Sequence, residues 1–199
     1  MSLIRGTLAA NTSAVTDSQS GDAWPLERSG TAHHILAENI VSALGAAALG
    51  SASSVSLSGT AVDFTSIPSG VNWVEIMLAG AALSGTDNIL IQVGGSGGIE
   101  NSGYISTSST VSSGSSAIVS VTVGYVVRTS GSTGATGKVS MARGSANDWY
   151  INGSVLNDTG ALTSVAGNKG ITGNLSEIRI TRTGSDTFTA GTAIIRWGY

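Results

Sequence analysis

Histidine is the side chain that most often does acid–base chemistry near neutral pH, and the chain holds only two, His33 and His34. A Ser-His-Asp or Cys-His site would have to use one of them. Both precede the β-rich part of the chain, and adjacent residues point apart in a regular backbone, so they are a poor pair for one metal. The alternative is that three copies of one of these histidines meet on the axis of a trimer and hold a metal. We expect structural histidines and no metal site.

Carboxylates and glycine-rich loops are the other candidates for catalysis. Glu177 and Asp186 fall near the last predicted hairpin, while Asp63 and Glu75 are expected on neighbouring strands. Glycosidic cleavage needs two carboxylates about 5 Å or about 6.5–9.5 Å apart, and nothing in the local sequence enforces that spacing. The GGSGG run at 94–98 lacks the Lys-Ser/Thr and helix of a phosphate-binding loop. We expect no enzyme activity and no cofactor.

Aromatic residues beside Asp and Asn form the one pattern typical of a binding surface. The run NDWYING places Trp149 and Tyr150 on opposite faces of a predicted strand, so one ring should point away from the core. An exposed ring there could stack on a sugar. The alternative is that one ring fills the core and the other covers a subunit interface. The candidate glycan contacts are Tyr104, Asp148, Trp149, Tyr150 and Asn152.

The composition indicates a surface made for contacts rather than for free solution. Hydrophobic residues make up 41% of the 199 residues and charged residues 11%, against a usual charged fraction of about 25%. The net charge is −3, without a basic stripe, so nucleic acid is not an expected partner. Cysteine is absent, which excludes disulfides and thiolate metal sites.

Targeting signals are not evident either. The first residues lack the apolar segment of a signal peptide. The most lipid-like run, Ile40–Gly50, is too short to span a bilayer, so membrane insertion is not expected. Release by lysis as part of a virus particle fits this combination, and we expect the protein in the virion.

Residues 1–54 are predicted to form an extended arm. Residues 1–31 have neither a strand nor a helix period, and residues 32–50 contain the one predicted helix, at about 32–45, followed by a small-residue linker. The arm is either a flexible leader or an anchor inserted into a neighbouring subunit. The candidate anchor residues are Trp24, Pro25, Leu26, Leu36, Ile40 and Leu44.

Residues 55–199 read as all-β. Short runs of alternating apolar and polar residues are separated by turns rich in Gly, Ser and Asp, and the predicted strands include Gly103–Ser106 and Ser116–Arg128. Val71–Leu78 and Asn88–Val93 flank the turn AGAALSGTD and predict a hairpin of two core strands. We expect a jelly-roll-like antiparallel β-sandwich, preceded by the arm with its one short helix.

The stretch DFTSIPSGVNWVEIMLAGAALSGTDNILIQVGGSGGIENSGY resembles a β-rich C-terminal domain of bacteriophage tail-fibre-like and other phage structural proteins. The family motifs F-T-x-I-P-x-x-V, S-G-T-x-N-x-L-I-Q-x-G and G-x-x-x-x-G-Y fall at Phe64–Val71, Ser84–Gly94 and Gly98–Tyr104. LSEIRITRTGSDTFTAGTAIIRWGY is similar to the closing hairpin of that domain. The resemblance covers residues 55–199. The common Tyr-Glu ending is replaced by Arg196–Tyr199.

The arm segment RSGTAHHILAENIVSALG is similar to segments near the start of phage fibre and baseplate-associated proteins. Together the resemblances imply a tail-fibre or receptor-binding-like virion protein, with the arm docked on the particle and the sandwich on the host surface. The implied partners are copies of the chain in a homotrimer, other virion proteins and host-surface glycan. The alternative is a capsid decoration (cement) protein whose arm staples capsid subunits.

Overall fold

The computed structural model of the chain describes residues 23–28, 31–36, 49–52 and 54–199. The chain divides into two compact units, Met1–Leu49 and Gly50–Tyr199. Throughout the described ranges the regular elements are strands. None of the described residues belongs to a helix long and apolar enough to cross a membrane.

In the first unit, the described residues form a two-stranded antiparallel sheet. Strand β1 (Ala23–Arg28) pairs with β2 (Thr31–Leu36), and Trp24 lies opposite Ile35. The predicted helix is therefore wrong over its first residues. Pairing with β1 satisfies the backbone of TAHHIL, whose Thr, His and Ile are weak helix formers. The remainder, residues 37–45, lies outside the described residues.

Of the six candidate anchor residues, four lie on these two strands and two lie outside the described residues. Trp24, Pro25 and Leu26 lie on β1, and Leu36 is the last residue of β2. Ile40 and Leu44 lie outside the described residues. The anchor role of all six stays a prediction.

The second unit consists of two antiparallel sheets. The large sheet has the order β10-β9-β14-β13-β12-β6-β16-β3, with β4 also paired to β16, and the small sheet has the order β11-β7-β15-β5, with β8 paired to β7. The strands are β3 (Leu49–Ser51), β4 (Val55–Ser56), β5 (Val62–Phe64), β6 (Trp73–Leu83), β7 (Ile89–Gly95), β8 (Gly98–Ile99), β9 (Ile105–Ser112), β10 (Ser115–Val121), β11 (Tyr125–Arg128), β12 (Ala135–Arg143), β13 (Asp148–Asn157), β14 (Leu162–Gly170), β15 (Glu177–Arg182) and β16 (Phe188–Gly198).

The two sheets enclose one hydrophobic core. On β6, Val74 and Ile76 are fully buried and alternate with partly exposed neighbours, so this strand has one inner and one outer face. The central strand β7 is buried along its whole length. Residues of both sheets join a single core cluster. The all-β, antiparallel sandwich predicted for residues 55–199 is confirmed.

The predicted core hairpin is wrong. β6 belongs to the large sheet and β7 to the small one, so the chain crosses between the sheets instead of turning back along its neighbour. The closing pair, β15 and β16, is divided in the same way. Alternation and turn residues show where a chain reverses, but two strands that pair and two that face each other across a core have the same pattern.

The turn between β6 and β7 and the turn between β15 and β16, called the crossing turns below, are hydrogen-bonded to each other. The Asp87 N–H donates to Asp186 Oδ2 at 2.9 Å, and the Asp186 N–H donates to Asp87 Oδ2 at 2.8 Å. Both turns have the pattern Ser/Thr-Gly-Ser/Thr-Asp. A Cβ on Gly85 would lie 2.5 Å from Asp186 Oδ1, so the glycine makes this close approach possible. The reciprocal bonds tie the sheets together at one end of the sandwich.

Two other boundaries differ from expectation. The run Ser116–Arg128, predicted as one strand, forms β10 in the large sheet and β11 in the small sheet. The strand predicted at Gly103–Ser106 forms as β9, which begins at Ile105 and continues to Ser112. Its Ser- and Thr-rich second half reads as a loop in isolation, and pairing on both sides with β10 and β14 makes it a strand.

Candidate functional site

The outer face of the large sheet carries a continuous polar surface. The strands β10, β9, β14, β13 and β12 pair with one another without a register shift. Residues directly opposite each other therefore form continuous rows across this face. One row runs Ser120, Thr107, Ala166, Asn152, Ser140, Glu75 and Arg196. Small hydroxyl and amide side chains therefore dominate this face.

An open groove of about 480 Å³ lies on this outer face. Its floor is formed where Gly137 and Gly153 let β12 and β13 approach closely, since a Cβ on Gly153 would lie 2.5 Å from Lys138 O. The lining residues are Thr136, Gly137, Lys138, Ser140, Asn152, Gly153, Ser154, Leu156 and Leu162. The groove offers hydrogen-bonding groups along one wall and leucine side chains at one end.

Charge is sparse around the groove. Lys138 Nζ donates to Glu75 Oε2 at 2.9 Å, which offsets the positive charge that lines it. Since the Lys138 side chain is 55% exposed, the pair is solvated and worth at most about 1 kcal/mol. The groove thus suits a neutral or weakly charged ligand better than a phosphate or a polyanion.

Aliphatic side chains interrupt the polar surface at one end of the sheet. An aliphatic row is formed by Val111, Leu162 and Leu156. These residues are direct neighbours across β9, β14 and β13, and each is roughly half exposed. Ile118 and Ile105 are more exposed still, at 73% and 71%. Exposed branched residues grouped on one face are typical of a protein-contact surface.

The candidate glycan residues are separated by burial. Asp148, Tyr150 and Asn152 alternate along β13 and share its outer face, and the Tyr150 ring is 48% exposed. One side of that ring lies over Gly144, where a Cβ would collide with the ring. Tyr150 and Asn152 together form the part of the prediction that could contact a sugar.

Trp149 is a core residue. Its side chain is 1% exposed, on the opposite face of β13 from Tyr150, as the alternation of a strand requires. The Tyr125 hydroxyl donates to the Trp149 carbonyl at 2.7 Å, which fixes this position further. Trp149 therefore offers no ring face to a sugar.

Tyr104 is also buried, which contradicts its placement among the glycan contacts. Its hydroxyl donates to Glu100 O at 2.8 Å and accepts the Val93 N–H at 2.8 Å. The ring packs edge-on against Tyr125, with centroids 5.0 Å apart. The motif G-x-x-x-x-G-Y thus ends in a tyrosine whose hydroxyl joins Val93 to Glu100, at the base of the β7–β8 turn.

An ion pair covers this tyrosine. Lys169, itself buried, contacts Glu100 through Nζ and lies 5.6 Å from the centre of the Tyr104 ring. Burial alone would raise the pKa of Glu100, but hydrogen bonds from Lys169 and from the Thr172 N–H outweigh it and lower the pKa. The ion pair therefore has a structural role: it joins β14 of the large sheet to the segment that follows β8 of the small sheet.

The carboxylates considered for catalysis are distributed over the molecule. Asp63 lies on β5 in the small sheet and Glu75 on β6 in the large sheet, so the expected neighbouring strands are not neighbours. Arg179 donates to both Asp63 oxygens, at 2.6 and 2.8 Å, and this hydrogen bonding lowers the pKa of Asp63. Across the described part of the chain, no three His, Cys, Asp or Glu side chains are placed to hold a metal.

Comparison with known proteins adds no identification. No family model matches the chain, and no curated protein does. The resemblance to phage tail-fibre-like domains therefore stays a prediction from the sequence.

The groove and the aliphatic row were missed by sequence reasoning. In the run INGSVLND the outer-face residues are polar except Leu156, which follows the inward-facing Val155. Two consecutive aliphatic residues at the end of an alternating strand were the available signal. The same break occurs where Ala161, which is buried, precedes Leu162.

Proposed function

We propose that the chain is a bacteriophage virion structural protein of the tail-fibre or receptor-binding type. Its N-terminal residues would dock on the particle, and its sandwich would contact the host surface. The resemblance of residues 55–199 supports this role, and the outer face of the large sheet is the observation that carries it. A wide, weakly charged face of Ser, Thr and Asn with a groove suits many shallow contacts.

The host contact is proposed at the groove and at Tyr150. An exposed aromatic ring beside an amide two residues away supplies the stacking surface and the hydrogen bonds that a neutral sugar needs. The low charge around Lys138 and Glu75 agrees with a neutral glycan. Tyr150 and Asn152 are the residues we propose for recognition.

A direct test measures binding of the purified full chain to host cells and to extracted surface glycan. We expect Tyr150→Ala and Asn152→Ala each to weaken binding at least about tenfold, more than most interface residues do when truncated. Asn174→Ala, at an exposed position between β14 and β15, is the matched control for Asn152→Ala. Equal binding by all variants would contradict the recognition site; shortened glycan fragments would show an enzyme.

The aliphatic row favours a second candidate, capsid decoration. Val111, Leu156 and Leu162 suit a neighbouring protein better than a sugar, and in that role the face would lie on the capsid shell. Electron microscopy of intact particles separates the two. Density at the tail tip supports the first proposal, and density over capsid subunits with none at the tail contradicts it.

Particle docking is tested by truncation. Because β3 begins at Leu49, removing residues 1–48 keeps every strand of the large sheet. We expect the shortened chain to fold and to bind host glycan but not to join particles. Incorporation at the full-length level would contradict the anchor.

A further inference from the structure

The large sheet ends in an open edge strand. Within the described residues β10 pairs with β9 and with no other strand. Ser112 and Ser115 close a two-residue hairpin, so Ser115 and every second residue after it bond to β9. The backbone N–H and C=O groups of Ser116, Ile118 and Ser120 therefore point away from the sheet.

The other edges of the two sandwich sheets are protected. At the far end of the large sheet, β3 and β4 have only three and two residues. In the small sheet, β5 has three residues and carries Asp63, which is paired with Arg179. The four residues of β11 are all buried, and its pairing with β7 is bulged. Short length, charge, burial and bulges are the usual devices that keep strand edges from pairing.

β10 has none of these devices. Its seven residues, SSAIVSV, contain no charged residue and no proline, and its register with β9 is unbroken. Ile118, at the middle of the strand, is 73% exposed. An uncharged, regular edge with an exposed isoleucine at its centre is complementary to an uncharged strand and disfavours a charged one.

We propose that two copies of the chain pair through β10, antiparallel and about a two-fold axis at Ile118. In that register Ile118 lies opposite its symmetry mate, and Ser116 lies opposite Ser120. The outward-pointing backbone groups of all three residues then bond across the axis. The register is self-complementary, packs the two exposed isoleucine side chains against each other and places no like charges together. This pairing is independent of the virion role.

Two properties of the contact follow. Seven residues a side is fewer than the about 20–30 residues a side of a standard interface, so association should depend strongly on concentration. The sandwich of each copy offers one such edge, and pairing uses it completely. The contact therefore joins chains in pairs and by itself does not propagate into fibres.

Sedimentation of the full chain over a wide concentration range tests the proposal. We expect Ile118→Lys to halve the assembly mass at high concentration, with a dissociation constant raised at least about tenfold. Ile105→Lys is the matched control, because Ile105 is 71% exposed on the same face but lies on β9. The control should keep the wild-type mass. Thermal melting checks that both variants fold.

Cross-linking tests the register itself. The chain has no cysteine, so Ile118→Cys introduces a single thiol. Directly opposite residues have Cβ atoms about 4.5–5.5 Å apart, within reach of a short bis-maleimide. We expect covalent pairs from Ile118→Cys and not from Ile105→Cys. The proposal is overturned if both variants cross-link equally, if neither does, or if Ile118→Lys leaves the mass unchanged at every concentration.

Discussion

Gly191 shows how a single residue is fixed by the backbone around it. Its φ angle is +106°, a backbone conformation that is strained for any residue with a Cβ atom. It also lies at a bulge in the pairing of β16 with β6. A Cβ there would also lie 2.5 Å from the Cα of Ala81. Only glycine satisfies both conditions, because the obstructing atom belongs to the backbone and cannot rotate away.

Gly191→Ala should therefore lower the free energy of unfolding by about 2–4 kcal/mol, from strain and overlap together. Gly160→Ala is the control, since Gly160 has φ +85 with open space around it and should lose only about 1 kcal/mol. Urea denaturation of both variants measures the difference. Equal losses would mean that the overlap is relieved by movement of β6.

Tyr104→Phe removes one buried hydroxyl that serves both Val93 and Glu100. The Val93 N–H is then left without its side-chain acceptor in the core, and we expect a loss of about 1–3 kcal/mol in unfolding free energy. Tyr150→Phe, at a 48% exposed ring, should change stability by less than about 0.5 kcal/mol. Denaturation midpoints of the two variants make the comparison; a larger loss for Tyr150→Phe would contradict the assigned roles.

Strand elements were largely predictable from alternation, and their pairing was not. The inner face of β6 follows from Val74, Ile76 and Leu78 recurring at every second residue. Nothing in that pattern says that β6 pairs with β12 and β16, which lie more than 50 residues away. The second half of β9 was missed because TSSTVS has too few apolar residues to signal a strand.

The candidate site was predictable only in part. Placing Trp149 and Tyr150 on opposite faces was correct, because period two depends only on local geometry. Tyr104 was placed wrongly, since its polar neighbours in sequence do not reveal that its hydroxyl bonds buried backbone groups of Val93 and Glu100. The groove was not predictable, because its lining residues lie on three neighbouring strands, β12, β13 and β14. The order of these strands in the sheet cannot be deduced from any one segment of the sequence.

The crossing turns can be tested as one element. Asp87→Ala and Asp186→Ala each remove an acceptor for the other turn's N–H, at a cost of about 1–2 kcal/mol. Because the bonds are reciprocal, we expect the double variant to lose less than the sum of the single losses. A double-mutant cycle in urea measures the coupling. Strict additivity would show that the two turns act independently.

The whole molecule should unfold in alkali through its buried tyrosines. Burial raises the pKa of both Tyr104 and Tyr125 far above the ordinary 10.0. A raised folded-state pKa means that their contribution to stability is fully present below about pH 10 and is lost as the pH rises above it.

Titration followed by tyrosinate absorbance and circular dichroism checks this sign. We expect the ionisation of these two side chains to coincide with loss of the β signal. Tyr125→Phe should reduce the absorbance change of that transition. Ionisation of Tyr104 and Tyr125 well before unfolding would contradict their burial.

The position of β16 has a consequence for synthesis of the chain. This last strand lies inside the large sheet, between β6 and β3, and the turn before it supplies Asp186, which bonds a turn 99 residues earlier. A ribosome must therefore synthesise the chain beyond residue 188 before β6 gains its second neighbour. Folding dominated by such distant pairings is slow, on the order of milliseconds to seconds. Until β16 is made, the nascent chain leaves the edge of β6 unpaired, and a stop codon before residue 188 would leave that edge unpaired permanently.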